Sequence, residues 1–104
     1  MRRGEVRWYR FHKPDKKRPV VILTRDSAIE YLGDVTIAPI TSTVRDIPSE
    51  VVLGQADGMA RECAVNLDHV QTIARERIGA LITTLSPQRL AEIRTALLFA
   101  LGDT

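Results

Sequence analysis

The apolar positions of this chain recur with period two along most of its length and with period 3.6 only near its end, a pattern of short strands followed by one longer helix. Val20-Val21-Ile22-Leu23 is an unbroken apolar run rich in β-branched residues, as expected of a strand buried on both faces. Pro19 has a fixed φ and no N–H to donate, so it reads as the first residue of that strand, with Arg18 at its mouth. A second such segment, Val35 to Ser42, ends in the hydroxyls of Thr41 and Ser42. If the two strands are neighbours, Arg18 and Thr41 face one site.

Alternation predicts further strands over Glu5 to Phe11, Ile47 to Leu53, Glu62 to Ile73 and Ala80 to Thr84. In the first, Val6, Trp8 and Arg10 point one way and Glu5, Arg7, Tyr9 and Phe11 the other. Trp8 reads as core, and Tyr9 and Phe11 as cover for a barrel edge, although aromatics interleaved with cations also suit base stacking. In the long strand Asn66 and Asp68 share one face and His69 and Gln71 the other. Such a polar cluster requires partners or function, since burying an unpaired polar group costs about 1–3 kcal/mol.

Ser27-Ala28-Ile29-Glu30 has capping-box spacing and predicts a short helix through Leu32, stopped by Gly33. Ser86-Pro87 opens the longer helix with a hydroxyl cap and Pro at the first helical position, and Gly102 closes it. Its apolar stripe is Leu90, Ile93, Leu97 and Leu101. The elements together describe a mainly β protein, a small barrel with helical cover and a C-terminal amphipathic helix, organised as a single domain over residues 1–104.

Charge adds a direction to this picture. The net charge of +2 is modest, yet residues 1–18 carry a net +6 and the remainder a net −4, so a polyanion is drawn to one end. Lys13, Lys16 and Lys17 lie on the polar loop between the first two strands, either simply solvated or steering phosphates toward Arg18. His12 on that loop is a candidate proton carrier or an ordinary surface residue. Cys63 is the sole cysteine, which excludes an intrachain disulfide, suits a reducing cytoplasm and reads as a buried thiol. No apolar run approaches a membrane span, and His12 and His69 have no zinc-ligand spacing, so neither membrane, metal nor other cofactor is expected.

The ordered segments Arg3-Gly4-Glu5-Val6, Arg18-Pro19-Val20-Val21, Pro39-Ile40-Thr41-Ser42, Gln71-Thr72-Ile73, Arg77-Ile78 and the Ser86 to Gly102 helix together resemble the MazF/PemK toxin family over nearly the whole chain. The resemblance implies an SH3-like barrel of the MazF/CcdB type, the toxin of a bacterial type II toxin–antitoxin pair. It further implies a homodimeric, metal-independent endoribonuclease that cuts single-stranded RNA at a short sequence. A cognate MazE-like antitoxin would block its RNA groove with an extended acidic C-terminal segment.

The family's catalytic pair maps to Arg18 and Thr41. A fork of guanidinium donors suits two phosphate oxygens and a hydroxyl a third, but neither residue is an ordinary base. His12, Asp68 and His69 are the acid/base or substrate-binding candidates, and Lys13, Lys16, Lys17, Ser42 and Gln71 the further RNA contacts. Gln71 stands where many members have Arg, and His69 where many have Gln, so the cut site is expected to differ. Two other readings stay open: a gyrase-binding toxin of the CcdB type, disfavoured by the Leu101 to Thr104 ending, and a non-catalytic RNA-binding barrel. A dimer is also expected from the apolar surface of Val20 to Leu23 and of the last helix.

Overall fold

The computed structural model describes residues 1–11 and 17–103. Seven strands, β1 (Glu5–Arg10), β2 (Lys17–Ile22), β3 (Asp34–Thr41), β4 (Glu50–Leu53), β5 (Cys63–Asn66), β6 (Gln71–Ala74) and β7 (Ile78–Thr84), are joined by short turns and two helices, α1 (Asp26–Ile29) and α2 (Pro87–Ala100). All strand pairs are antiparallel. The hydrogen-bonded order is β4-β5-β3-β2-β1-β7, with β6 also on β3, so the sheet coils into a barrel-like form without closing its ladder. The expected small barrel with a C-terminal helix is what the chain builds.

The apolar run of β2 explains the two-sided core. Val21 packs with Val6, Ala38, Val65, Ile93 and Ala96 in one cluster, against α2. Val20 and Ile22, on alternate positions, join Tyr9, Ile29, Val35, Ile37 and Ile73 in a second. All three β2 residues are wholly buried within one chain, so the surface that suggested a dimer at Val20 to Leu23 is largely consumed by the monomer's own core. β2 also begins at Lys17, two residues before Pro19, which takes an internal position opposite Trp8.

β3 is the shared spine. One edge pairs with β2 through Ile37–Pro39, while the other pairs first with β6 through Asp34–Ile37 and then with β5 through Ile40–Thr41. Pro39, lacking an N–H, stands at the changeover between β6 and β5, where a strand can do without a ladder bond.

Three local expectations are corrected. The long strand over Glu62 to Ile73 is broken into β5 and β6 by a 3₁₀ turn at Leu67–His69, because the Asn66 side chain accepts the Asp68 N–H at 3.0 Å and bends the backbone. That dissolves the predicted sharing of faces by Asn66 with Asp68 and by His69 with Gln71. The capping box at Ser27 does not form: α1 starts after Arg25 with no side-chain cap, and Asp26 in its first turn accepts the Arg3 N–H at 2.7 Å instead. In the α2 stripe Leu101 is exposed, and Ala96 takes the buried place beside Ile93.

The ends of α2 match their signals. Ser86 Oγ accepts the Arg89 N–H at 3.2 Å, and Gly102 at φ +82° lets Gly102 N–H and Asp103 N–H reach the Phe99 and Leu98 carbonyls. Gly58, at φ +93°, is more constrained still, because a Cβ there would lie 2.3 Å from Thr83 Oγ1. Gly58→Ala should therefore cost about 2–3 kcal/mol in urea unfolding, from backbone strain and collision together; a loss below about 0.5 kcal/mol, the range of a neutral surface change, would contradict this.

Candidate active site

The β2–β3 register assigns the partners of the site. Val20 is opposite Pro39, Val21 opposite Ala38 and Ile22 opposite Ile37. Continuing that register past the end of the ladder sets Arg18 across from Thr41. Both residues line a cleft of about 510 Å³ together with Lys17, Ser42, Trp8 and Arg61. Its apolar wall includes Ile40, Met59, Cys63 and Ile82.

Thr41 Oγ1 accepts the Thr43 N–H at 3.1 Å, which leaves its own hydroxyl proton to donate outward. The local backbone bond expected of Ser42 and Thr43 is thus made by Thr41 itself. Arg18 is exposed and, among the described residues, has no acidic partner, whereas most other arginines are committed. Arg7 bonds Glu5 Oε1 at 2.8 Å and the Gly79 carbonyl at 3.0 Å. Arg77 bonds the Arg10 carbonyl and lies 5.4 Å from the centre of the Tyr9 ring. Arg75 bonds the Ile29 carbonyl.

The described lining holds three cations and neither a carboxylate nor a histidine. Cys63 brings a thiol to the wall, and burial, with Asp57 and Glu62 nearby, pushes it above the ordinary value, so it is neither a ready nucleophile nor a base near neutral pH. Among the described residues no three His, Cys, Asp or Glu gather as metal ligands would.

The other predicted residues divide clearly. Asp68 accepts the Ser49 hydroxyl at 2.5 Å on the turn between β5 and β6, and neither it, His69 nor Gln71 lines this cleft. Gln71 begins β6, opposite Ile37. His12, Lys13 and Lys16 lie outside the described residues. A second hollow of about 540 Å³, bordered by Leu23, Thr36, Leu32 and Leu97, contains none of the predicted site residues.

Two contributors were not anticipated. Trp8, read as core, is 36% exposed and forms part of the cleft wall, while Tyr9 is the buried ring, edge-on to Phe11 at 4.7 Å. Burial does not alternate cleanly along β1, since Glu5 and Val6 are both buried and Trp8 is exposed on the Val6 face. The β1–β7 pairing shifts register on both sides of Arg7, and such irregularities twist a strand and re-aim its side chains. Gly79, which reads as the end of a turn, lies inside β7, close to the Trp8 carbonyl, and is the one sequence signal for that irregularity. The other contributor, Arg61, comes from the segment leading into β5.

Sequence comparison adds the lineage. Residues 2–101 match the model of the PemK-like, MazF-like toxin of type II toxin–antitoxin systems. The chain belongs to the PemK/MazF toxin family. Among the members it resembles, a probable endoribonuclease MazF5 of Mycobacterium tuberculosis is 43% identical over 93 residues, covering 88% of this chain and 80% of the relative. An endoribonuclease MazF3 of the same species is 40% identical over 89 residues, covering 86% and 82%. The solved M. tuberculosis toxin MazF-mt6 superposes with a TM-score of 0.86 at 33% identity, over 94% of this chain and 96% of that one. A mycobacterial endoribonuclease solved in complex with its cognate antitoxin gives 0.85 at 29% identity, over 98% and 95%. The MazF fold is therefore shared over nearly the whole chain.

Within this PemK/MazF frame the cleft wall carrying Met59 and Arg61 is anchored from below. Arg89 of α2 grips Asp57 at 2.9 and 3.3 Å and Glu92 at 2.7 Å, while Asp57 also accepts the Gly54 N–H. The Arg89 hydrogen bonds hold the Asp57 carboxyl below its ordinary 3.8, against the opposing effect of burial. A carboxylate so depressed stabilises the fold fully above its unfolded pKa, and that contribution is lost as pH falls through the lower folded value. Asp57→Asn should cost about 1–3 kcal/mol at pH 7, and the difference from wild type should shrink as unfolding is measured below about pH 4. A deficit unchanged down to about pH 2 would contradict the assignment.

Proposed function

We propose that this PemK/MazF-family endoribonuclease cuts single-stranded RNA by metal-independent attack of the RNA's own 2′-hydroxyl, leaving 2′,3′-cyclic phosphate and 5′-hydroxyl ends at a short recognition sequence. The observation that carries the reading is that Arg18 and Thr41, across from each other where the β2–β3 register is continued, line one cleft of cations and hydroxyls.

In that reaction the 2′-oxygen bonds to phosphorus, the bond to the 5′-oxygen breaks, the 2′ proton departs and the leaving oxygen is protonated. Negative charge concentrates on the phosphoryl oxygens in between. Arg18 presents a planar, permanently charged fork to two of them, and Thr41, its oxygen already occupied by the Thr43 N–H, donates its proton to a third. Ser42 and Lys17 are at hand for the flanking backbone. With no carboxylate or histidine in the described lining, the acceleration derived for these residues is positional and electrostatic. Asp68 and His69 do not line this cleft, so a role in proton transfer would require another route to the substrate.

The same electrostatics suit an acidic peptide. A MazE-like antitoxin with an extended acidic C-terminal segment would compete with RNA for Lys17, Arg18 and Arg61, and a relative of this fold has been solved with its cognate antitoxin. A homodimer acting on RNA in the bacterial cytoplasm completes the proposal. The exposed Leu81, Phe99 and Leu101 supply apolar surface for it, and light scattering should give twice the monomer mass.

Purified protein in EDTA should cut a mixed-sequence RNA into discrete fragments with cyclic phosphate ends. Arg18→Ala should lower kcat/KM by about 100-fold or more, and Thr41→Val by about 10–100-fold, as for loss of one donor to a developing oxyanion. Cleavage by Arg18→Ala at the wild-type rate would overturn the assignment.

A further inference from the structure

Resting on that reading, we propose that Trp8, with Lys17 over its ring and Arg61 on the same cleft, forms a nucleotide subsite that stacks one base beside the scissile phosphate and helps to set the cut-site preference. Trp8 has an unusual position for the only tryptophan of the chain. It shares a strand face with the fully buried Val6, so a continued core would have covered it, yet it stays 36% exposed in the cleft that holds Arg18 and Thr41. A large aromatic face left in a cationic cleft invites a planar, anionic ligand more than a purely apolar one.

The surrounding charges fit the two parts of a nucleotide. Lys17 Nζ lies over the Trp8 ring, 5.8 Å from its centre, a cation–π contact that a base stacking on that face would replace. A base sliding onto the ring would thus bring its phosphate to Lys17. Arg61 is exposed, has no acidic partner among the described residues, and supplies a second fork for the backbone on the wall formed by Met59 and Ala60. The described lining carries no carboxylate to repel the strand.

The location is held by the fold. Trp8 pairs with Pro19 and Arg18 with Tyr9, so the register starts the ring and the guanidinium on opposite faces of the β1–β2 ladder, yet both line the one cleft. The register shifts against β7, where Gly79 lies close to the Trp8 carbonyl, fix the turn of the strand at this point. Stacking reads shape and ring size, so Trp8 is expected to bias the base at one flanking position without contacting the reacting atoms.

The lone tryptophan gives a direct readout. A short mixed-sequence 2′-O-methyl RNA, which lacks the attacking hydroxyl, should quench wild-type fluorescence saturably, whereas inorganic polyphosphate, which has charge but no bases, should bind with little quenching. With cleavable RNA, Trp8→Ala should raise KM about 5–100-fold with kcat within about threefold, and should flatten the preference at one position flanking the cut. Trp8→Phe should recover most of the affinity, and Arg61→Gln should lower the salt slope of binding by about one.

Equal quenching by polyphosphate, or unchanged KM and cut-site distribution in a folded Trp8→Ala, would overturn the subsite while leaving the nuclease reading intact. Base-dependent quenching by a wild-type protein that never cuts RNA would support the subsite and overturn the nuclease reading.

Discussion

The register between β2 and β3 is the constraint on which the rest of the molecule depends. A strand has a side-chain period of two, so a slip of one residue would exchange the side chains that fill the two core clusters. Val21 belongs to one cluster and Val20 and Ile22 to the other, all fully buried, which leaves no alternative pairing without exposing one set. The same register, run two positions beyond the ladder, is what sets Arg18 across from Thr41. Core packing and site geometry are thus one specification.

The division of cations follows from that arrangement. Arg7, Arg75, Arg77 and Arg89 are spent on carbonyls, an aromatic ring and the carboxylates of Glu5, Asp57 and Glu92, and they tie β1 to β7, β6 to α1 and α2 to the cleft wall. Glu5 illustrates the balance: burial raises its pKa, but the Arg7 hydrogen bond, the Arg2 N–H and nearby positive charge outweigh that and hold the carboxyl below its ordinary value. The cations with no carboxylate or carbonyl partner among the described residues include Lys17, Arg18 and Arg61, which line one cleft, Lys17 resting on the Trp8 ring there. A basic surface read from the first 18 residues is therefore narrower in the fold: part of that charge is structural, and Arg61 joins it from a distant segment.

Much of this was legible because several local signals agreed. The β-branched run of β2, the hydroxyl-ended β3 and the Ser86, Pro87 and Gly102 signals of α2 each took the place their chemistry implies, as did the family likeness they carried. What escaped depended on pairing or on competing backbone bonds. Asn66 turned a long alternating stretch into a strand, a 3₁₀ turn and another strand, so Asp68, His69 and Gln71 left the expected faces. The exposure of Trp8 arises where β1 and β7 fall out of register, which no single-strand pattern records. Arg61 lacked any motif, since only the closure of the fold brings β5 and its leading segment to Thr41.

A double-mutant cycle on Arg18 and Thr41 is the direct test of whether the register builds one catalytic unit. Single-turnover cleavage of a defined RNA would be compared for wild type, Arg18→Ala, Thr41→Val and the double variant, each confirmed to be folded. If both side chains stabilise charge on the same phosphoryl group, the double variant should be little slower than Arg18→Ala, a coupling of about 1–3 kcal/mol. Losses that simply add would show two residues working independently, and would contradict the shared site.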